Sequence, residues 1–411
     1  MSFVNKKHFR RLWIAATVSA LGDGLRLTVL PLLAVEKTNS PLLISLVTAS
    51  ALIPWPLFGL FGGAISDRVD RRSAMWRLDA GRAILVGGFA VFTLFSLPPI
   101  LMIVILGFVL GSVETIFDNA ATALVPEMVD GDFLVRANSW LISSQTLSSQ
   151  FVGPALGGIL FATARFVPVA IDALSFLAAA VLVATLPVRK KSASEHPETT
   201  NAGSLRSEIM EGLCFLKRQP VLLSCTILAA PLYATSGVLT AVLVLYVKDL
   251  LHAGSIGYGL LFSAFALGSL IGSALAPRLL SRFRSGEVLA VTVPLTALTF
   301  VSLYSTNYVG IAAASVSILG AVGLWNVTST SLRQTLTPNG LRGRVNNAYR
   351  TVATSFAAVG ALSGGIVAEW IGIPKTLLGC AIVVAIVGVP LLPRVWTAKT
   401  PNSGDEPVGL T

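Results

Sequence analysis

Long apolar runs separated by short polar intervals repeat along nearly the whole chain. Twelve of them, each of roughly 20 residues, fall at about 12–35, 42–66, 74–96, 99–121, 138–162, 166–187, 220–247, 255–277, 286–305, 308–332, 347–371 and 376–393. At about 1.5 Å of rise per residue, a helix of that length crosses a hydrocarbon core of about 30 Å. The runs are too long, and too rich in Ala, Leu and Gly, for the strands of a membrane barrel. The pattern predicts an all-α polytopic membrane protein with twelve transmembrane helices, spans 1 to 12.

The longest polar stretch, Arg189 to Gln219, interrupts this pattern near the midpoint and leaves six spans on either side. It predicts a six-helix bundle over 1–187, a linker over 188–219, a second bundle over 220–393 and a tail over 394–411. The Ser/Glu/Pro/Thr-rich segment Ser192 to Asn201 has the composition of a disordered linker. Leu205 to Lys217 reads as an interfacial helix. The two halves also repeat each other. Val152-Gly-Pro-Ala-Leu-Gly-Gly-Ile159 matches Val359-Gly-Ala-Leu-Ser-Gly-Gly-Ile366 at an offset of 207, and Gly62 to Arg68 parallels Gly272 to Arg278 at an offset of 210. A parallel repeat of six helices implies pseudo-symmetric bundles with a path between them.

Charge sharpens the topology. Only 12% of the 411 residues are charged and 54% are hydrophobic, too few polar groups to coat soluble domains. The net charge of +10 suggests nucleic acid only if its location is ignored. With the N-terminus inside, 25 Lys and Arg residues fall in cytoplasmic loops, tails and adjoining helix ends, against 4 outside. That asymmetry places both termini in the cytoplasm, so the basic surplus orients the chain and no nucleic-acid partner is expected. The basic start at Lys6-Lys7-His8-Phe9-Arg10-Arg11 precedes an apolar run that contains Asp23 and Arg26, which makes it a first span and not a cleaved leader. Cys214, Cys225 and Cys380 are scattered, with no disulfide framework or metal-ligand spacing.

Five carboxylates lie inside the spans of the first half: Asp23, Asp79, Glu114, Asp118 and Asp172. An ionised group in hydrocarbon costs several kcal/mol unless a partner or water receives it, so these acids must face a protein interior or an aqueous cavity. Asp23 sits about twelve residues into span 1, with Arg26 one turn away on the same face. The pair is either static and neutral, or Asp23 takes a proton when Arg26 moves to another partner. Glu114 and Asp118 adjoin at i,i+4, where sharing a proton relieves like-charge repulsion. Asp118 and Asp79 can instead pair with Arg77 or Arg82, and Asp172 can be a packing or capping acid. Asp23, Arg26, Glu114 and Asp118 are therefore the candidates for proton coupling.

Two motifs stand beside the acids. The loop after span 2 carries Gly63, Asp67, Arg68, Arg71 and Arg72, and span 5 carries Gly153-Pro154 followed by Gly157-Gly158. Gly153 and Gly157 form a small-xxx-small face for close helix packing, and Pro154 loosens the backbone. The first motif resembles the loop signature G-x-x-x-D-R-x-G-R-R of the major facilitator superfamily, with Asp70 where the family has Gly. The second is similar to the G-P-x-x-G-G motif of antiporter-type facilitators. Gly22-Asp23-Gly24, Glu114 to Ala121, Leu124 to Glu127, Arg136 to Ser139 and Ile171 to Phe176 resemble the branch with the enterobactin exporter, macrolide-efflux proteins and bacterial multidrug exporters. The resemblance implies the major facilitator fold, a gate latch at the cytoplasmic loop, and alternating access.

The second half lacks deep acids and offers mixed aromatic and polar side chains, among them Tyr233, Trp325, Asn326 and Tyr349, as candidates for a cavity that takes bulky amphiphiles. No nucleophile–base constellation, metal site or phosphate-binding loop is legible, so neither an enzyme nor a directly ATP-driven pump is expected. The resulting expectation is a monomeric carrier in a bacterial plasma membrane that exports drugs, siderophores or secondary metabolites against protons. It needs no cofactor beyond the proton gradient. A proton-coupled importer or facilitator is the alternative within transport, and a non-transporting receptor the remote one.

Overall fold

The computed structural model describes residues 3–58, 71–129, 131–186, 202–305 and 308–396, and the described residues contain no strand. Residues 59–70, 187–201 and 397 onward lie outside them. The first half runs α1 (Phe3–Lys37), α2 (Pro41–Leu52), α3 (Pro54–Phe58), α4 (Arg71–Phe95), α5 (Ile100–Met128), α6 (Gly131–Thr146), α7 (Gly153–Thr163) and α8 (Phe166–Ala184). The chain continues through α9 (Ala202–Arg218), α10 (Pro220–Leu245), α11 (Gly254–Leu280), α12 (Ser285–Tyr304) and α13 (Tyr308–Leu336). It closes with α14 (Arg342–Ile371), α15 (Ile373–Gly388) and α16 (Leu392–Trp396). Ten helices among the described residues are long and apolar enough to cross a membrane. The other two apolar runs, spans 5 and 10, fall on α6 with α7 and on α13.

Helix ends follow the local chemistry. Ser40 caps α2, its side chain accepting from the Leu43 N–H, and Pro41 opens the helix where no donor is needed. Gly372 ends α14 at φ +84°, a left-handed conformation that favours glycine, and α15 starts directly after it.

Two helical stretches are wider than α. Residues Leu147–Val152 form a π-helix that joins α6 to α7, with the Gly153 N–H reaching back to the Ser148 carbonyl. Pro154 follows at once; its missing N–H removes one ordinary i→i−4 bond, which suits a wide turn at this point. A second π-helix, Tyr246–Leu250, extends α10.

The structure divides into two compact units. One comprises 1–205, 236–266 and 357–373; the other comprises 206–235, 267–356 and 374–411. In the first, α4 packs along α8, α1 along α7 and α8, and α2 along α5. One of its apolar clusters includes Leu12, Met75, Phe117, Val125, Leu141 and Val183. Because lipid is as apolar as these side chains, close packing and buried polar contacts hold the helices together. In the second unit α12 packs along α13, and Leu222, Leu289, Trp325, Leu332, Tyr349 and Val395 share a core.

The corner between α1 and α2, inside the first unit, is held at both helix ends. Lys248 donates from Nζ to the Val35 carbonyl at 3.2 Å and to Asn39 Oδ1 at 2.8 Å. Glu369 accepts at one carboxylate oxygen from Ser40 Oγ at 2.8 Å and the Leu42 N–H at 3.2 Å. A cation thus meets the carbonyl end of α1 and an anion the amide end of α2, each satisfying groups that a helix end leaves open.

Candidate functional site

Four helices of the first unit each contribute a carboxylate to one interior. Asp23 and Arg26 lie on α1, Asp79 and Arg82 on α4, Glu114 on α5 and Asp172 on α8. Asp23 and Asp79 stand three residues before their arginines, which places each pair on one helix face. Arg26 Nη2 donates to Asp23 Oδ1 at 3.0 Å and to Glu114 Oε2 at 2.5 Å. Arg82 Nη1 lies 3.7 Å from Asp23 Oδ2, and Arg82 Nη2 donates to Asp79 Oδ1. The result is a chain of alternating sign, Glu114–Arg26–Asp23–Arg82–Asp79.

Burial makes the order meaningful. Asp79 is 0% exposed and Arg82 2%, while the Glu114 side chain is 25% exposed. The chain therefore runs from a sealed end to an accessible one. Arg82 also lies between two aromatic faces, its guanidinium carbon 4.7 Å from the Phe117 ring centre and 4.4 Å from that of Phe176. Such faces stabilise a cation without neutralising it.

Asp172 is the sixth member. It is buried, and its Oδ1 has no hydrogen-bond partner among the described residues. Gly22 makes room for it: a Cβ there would lie 2.3 Å from that oxygen. Arg26 and Asp172 line one small cavity with apolar walls that include Val86, Phe89 and Leu110, with about 10 Å³ of space for a water centre. That is room for about one water molecule.

The sequence candidates distribute unevenly. Asp23, Arg26 and Glu114 meet directly. Asp118, one turn further along α5, is half-buried, and the ion pairs described for Arg26 and Arg82 run to the other acids. Of the two arginines that the sequence offers to Asp79, Arg82 is the one that pairs with it, and it belongs to the buried cluster and not to the cytoplasmic charges. Gly63, Asp67 and Arg68 lie outside the described residues, as does the side chain of Arg71. Arg72 donates from Nε to the Val183 carbonyl at 3.3 Å and from Nη2 to that of Ala184, closing the C-terminus of α8.

The glycine motif sits against α1. A Cβ on Gly153 would lie 2.6 Å from the Gly24 Cα, and one on Gly157 would lie 3.2 Å from the Leu25 carbonyl. Gly158 faces α11, with a Cβ there 2.4 Å from the Ser255 carbonyl. Thr28 donates from Oγ1 to the Pro154 carbonyl at 3.4 Å. Gly153→Val is expected to lower the thermal midpoint well beyond Gly157→Ala, because a Cβ at 153 overlaps backbone at 2.6 Å whereas one at 157 meets its neighbours at 3.2 Å; overpacking of this kind costs about 1–3 kcal/mol. Fluorescence-detected chromatography after heating measures both, and equal midpoints would contradict the geometry.

In the second unit, Tyr233 donates from its hydroxyl to Asn326 Oδ1 at 3.0 Å, and Trp325 Nε1 donates to the Tyr349 hydroxyl at 2.9 Å. The four cavity candidates of the second half thus form two bonded pairs on α10, α13 and α14. Arg333, also counted among cytoplasmic charges, is buried beside them with its guanidinium over the Tyr349 ring.

Residues 1–402 match the family described as transmembrane secretion effector. The chain belongs to that family of major facilitator transporters. The uncharacterized MFS-type transporter YfiS of Bacillus subtilis is 29% identical to it over 94% of this chain and 93% of its own. The enterobactin exporter EntS of Citrobacter koseri is 26% identical over 87% and 85%. Among solved structures, the nucleoside transporter NupG superposes with a TM-score of 0.74 at 14% identity, covering 95% of this chain and 100% of that one. The chain therefore has the major facilitator fold and is a multi-pass membrane transporter of small molecules, not an enzyme.

Proposed function

We propose that this transporter exports hydrophobic or amphiphilic small molecules in exchange for protons. The observation that carries the reading is the charge count of the buried cluster. Four carboxylates, Asp23, Asp79, Glu114 and Asp172, share an interior with two guanidiniums, Arg26 and Arg82. Two negative charges in excess are costly where water is scarce, and protons are the smallest carriers that remove them. Glu114 is the member through which a proton enters, being the accessible end of the chain. Arg26 is shared by Asp23 and Glu114, so loading either acid frees the guanidinium for the other, a two-state element that a rocking carrier can use.

Export is supported by the match to a secretion family and by the enterobactin exporter among the relatives. On this reading the chain works as a monomer in a bacterial plasma membrane with both termini cytoplasmic. Bundles over 1–187 and 220–393 are joined by the linker 188–219, and 394–411 forms the tail. The gradient is the energy source and no cofactor is required. The motif residues Gly63, Asp67, Arg68, Arg71 and Arg72 serve the gate.

Reconstituted vesicles loaded with a panel of dyes, antibiotics and siderophore-like compounds test this under an imposed pH gradient. Movement of a compound opposite to the proton is expected. Movement with the proton would establish an importer, and movement unaffected by the gradient a facilitator.

A further inference from the structure

A buried arginine in the second unit has no acid beside it among the described residues. Arg333 is 6% exposed, and no carboxylate lies within ion-pair distance of it among the described residues. Its partners are neutral: Ser329 Oγ at 3.3 Å from Nη1, Thr330 Oγ1 at 3.0 Å and Asn346 Oδ1 at 3.5 Å from Nη2. The guanidinium carbon stands 3.6 Å from the centre of the Tyr349 ring, and Nε has no hydrogen-bond partner. A cation this enclosed needs a counter-charge or another strong stabilising contact; the ring and the three weak dipoles supply only part of it.

Capping of the helix does not explain the placement. Arg333 is in the last turn of α13, where a cation suits the terminal carbonyls. Yet the side chain folds back one turn toward Ser329 and Thr330, away from that end. Asn326, Ser329, Thr330 and Arg333 follow the i, i+3, i+4, i+7 spacing of one helix face. Asn326 at the far end of this stripe is exposed and bonded to Tyr233. On the exporter reading this amide faces the aqueous path, since hydrocarbon would leave its N–H groups without partners. The stripe thus leads from an accessible amide to an uncompensated guanidinium, past two aromatic rings.

We infer that Arg333 receives the carboxylate of an amphiphilic cargo, with Asn326 at the mouth and Tyr233 and Tyr349 beside its apolar body. The inference rests on the exporter reading and deepens it by naming the group that the second half recognises. A planar guanidinium with a vacant Nε–H matches a planar carboxylate better than a point charge does.

The test is equilibrium binding of 4-butylbenzoate and its neutral analogue 4-butylbenzamide to the full chain in phosphatidylcholine nanodiscs, by calorimetry and without a pH gradient. The benzoate is expected to bind about tenfold tighter or more, the weight of a hydrogen bond to a charged group. Arg333→Gln is expected to bring the two affinities together while leaving benzamide binding intact, and Arg333→Lys to retain part of the preference. The wild-type comparison stands even if Arg333→Gln fails to fold. Equal affinities in the wild type, no benzoate binding, or a preference that survives Arg333→Gln would each overturn the inference. Loss of the preference when phosphatidylglycerol replaces phosphatidylcholine would assign the site to lipid headgroups and overturn it too. Failure of proton-driven export in vesicles would leave this binding result untouched, so the two readings fail separately.

Discussion

Arg82→Met is expected to cost the folded protein about 3–5 kcal/mol, the range for removing one partner of a buried ion pair. The side chain is 2% exposed and serves Asp79 and Asp23 together. Without it Asp79, which is 0% exposed, must either hold an unpaired charge or take up a proton, each at a cost, and Phe117 and Phe176 lose the cation between them. Methionine fills much of the volume, so packing loss contributes little and the electrostatic part dominates. The readout is the thermal midpoint and monodisperse yield of the purified protein. Asp79→Asn placed on top of Arg82→Met is expected to recover most of the loss, since the stranded charge is then gone. An Arg82→Met protein as stable as the parent would show that the pair contributes nothing.

Asp23→Asn is expected to separate coupling from binding. Asp23 is the carboxylate that both arginines share, through Oδ1 to Arg26 and Oδ2 to Arg82. The amide keeps the shape but carries neither the charge nor a transferable proton. Gradient-driven accumulation in vesicles is expected to fall about tenfold or more, equivalent to about 1.4 kcal/mol of coupling. Exchange of labelled for unlabelled cargo, which needs no net proton movement, is expected to persist. Trp325→Ala is the complementary variant and is expected to weaken exchange and uphill transport together. If Asp23→Asn abolished exchange as completely as accumulation in well-folded protein, the acid would be a structural or cargo-binding group and the proton reading would fall.

The helical architecture was readable from apolar run length alone, because a bilayer fixes the length a spanning segment must have. Much of the buried cluster was readable as well. Asp23 and Arg26 announce themselves as charges in the middle of an apolar run, and Glu114 does the same. Arg82 is only half legible: it competes with Arg77 as a partner for Asp79, and it follows the basic residues Arg68, Arg71, Arg72 and Arg77, which count as topology signals. Only the register of α4 tells Arg82, on the face of Asp79, from its basic neighbours nearer the loop. Arg333 was hidden the same way, as a cation near a helix end.

The π-helix before Gly153 had no signature of its own. Pro154 marks a weakened backbone, but whether a helix answers with a kink or a wide turn depends on what packs against it. Here α1 presses on that turn, with Gly24 opposite Gly153. Such a contact is invisible until two distant segments are placed side by side. The same holds for Asp172, whose seat exists because Gly22 on another helix has no side chain.

The α1–α2 corner has a property that an ordinary ion pair lacks. Lys248 and Glu369 do not face each other; each answers a fixed backbone polarity, one the carbonyl terminus and the other the amide terminus. An acid and a base that meet directly can trade places and still attract. These two cannot, because the peptide groups they read keep their direction whatever the side chains do. The sign of each residue is thus dictated by chain direction, and this clasp tolerates loss more readily than reversal.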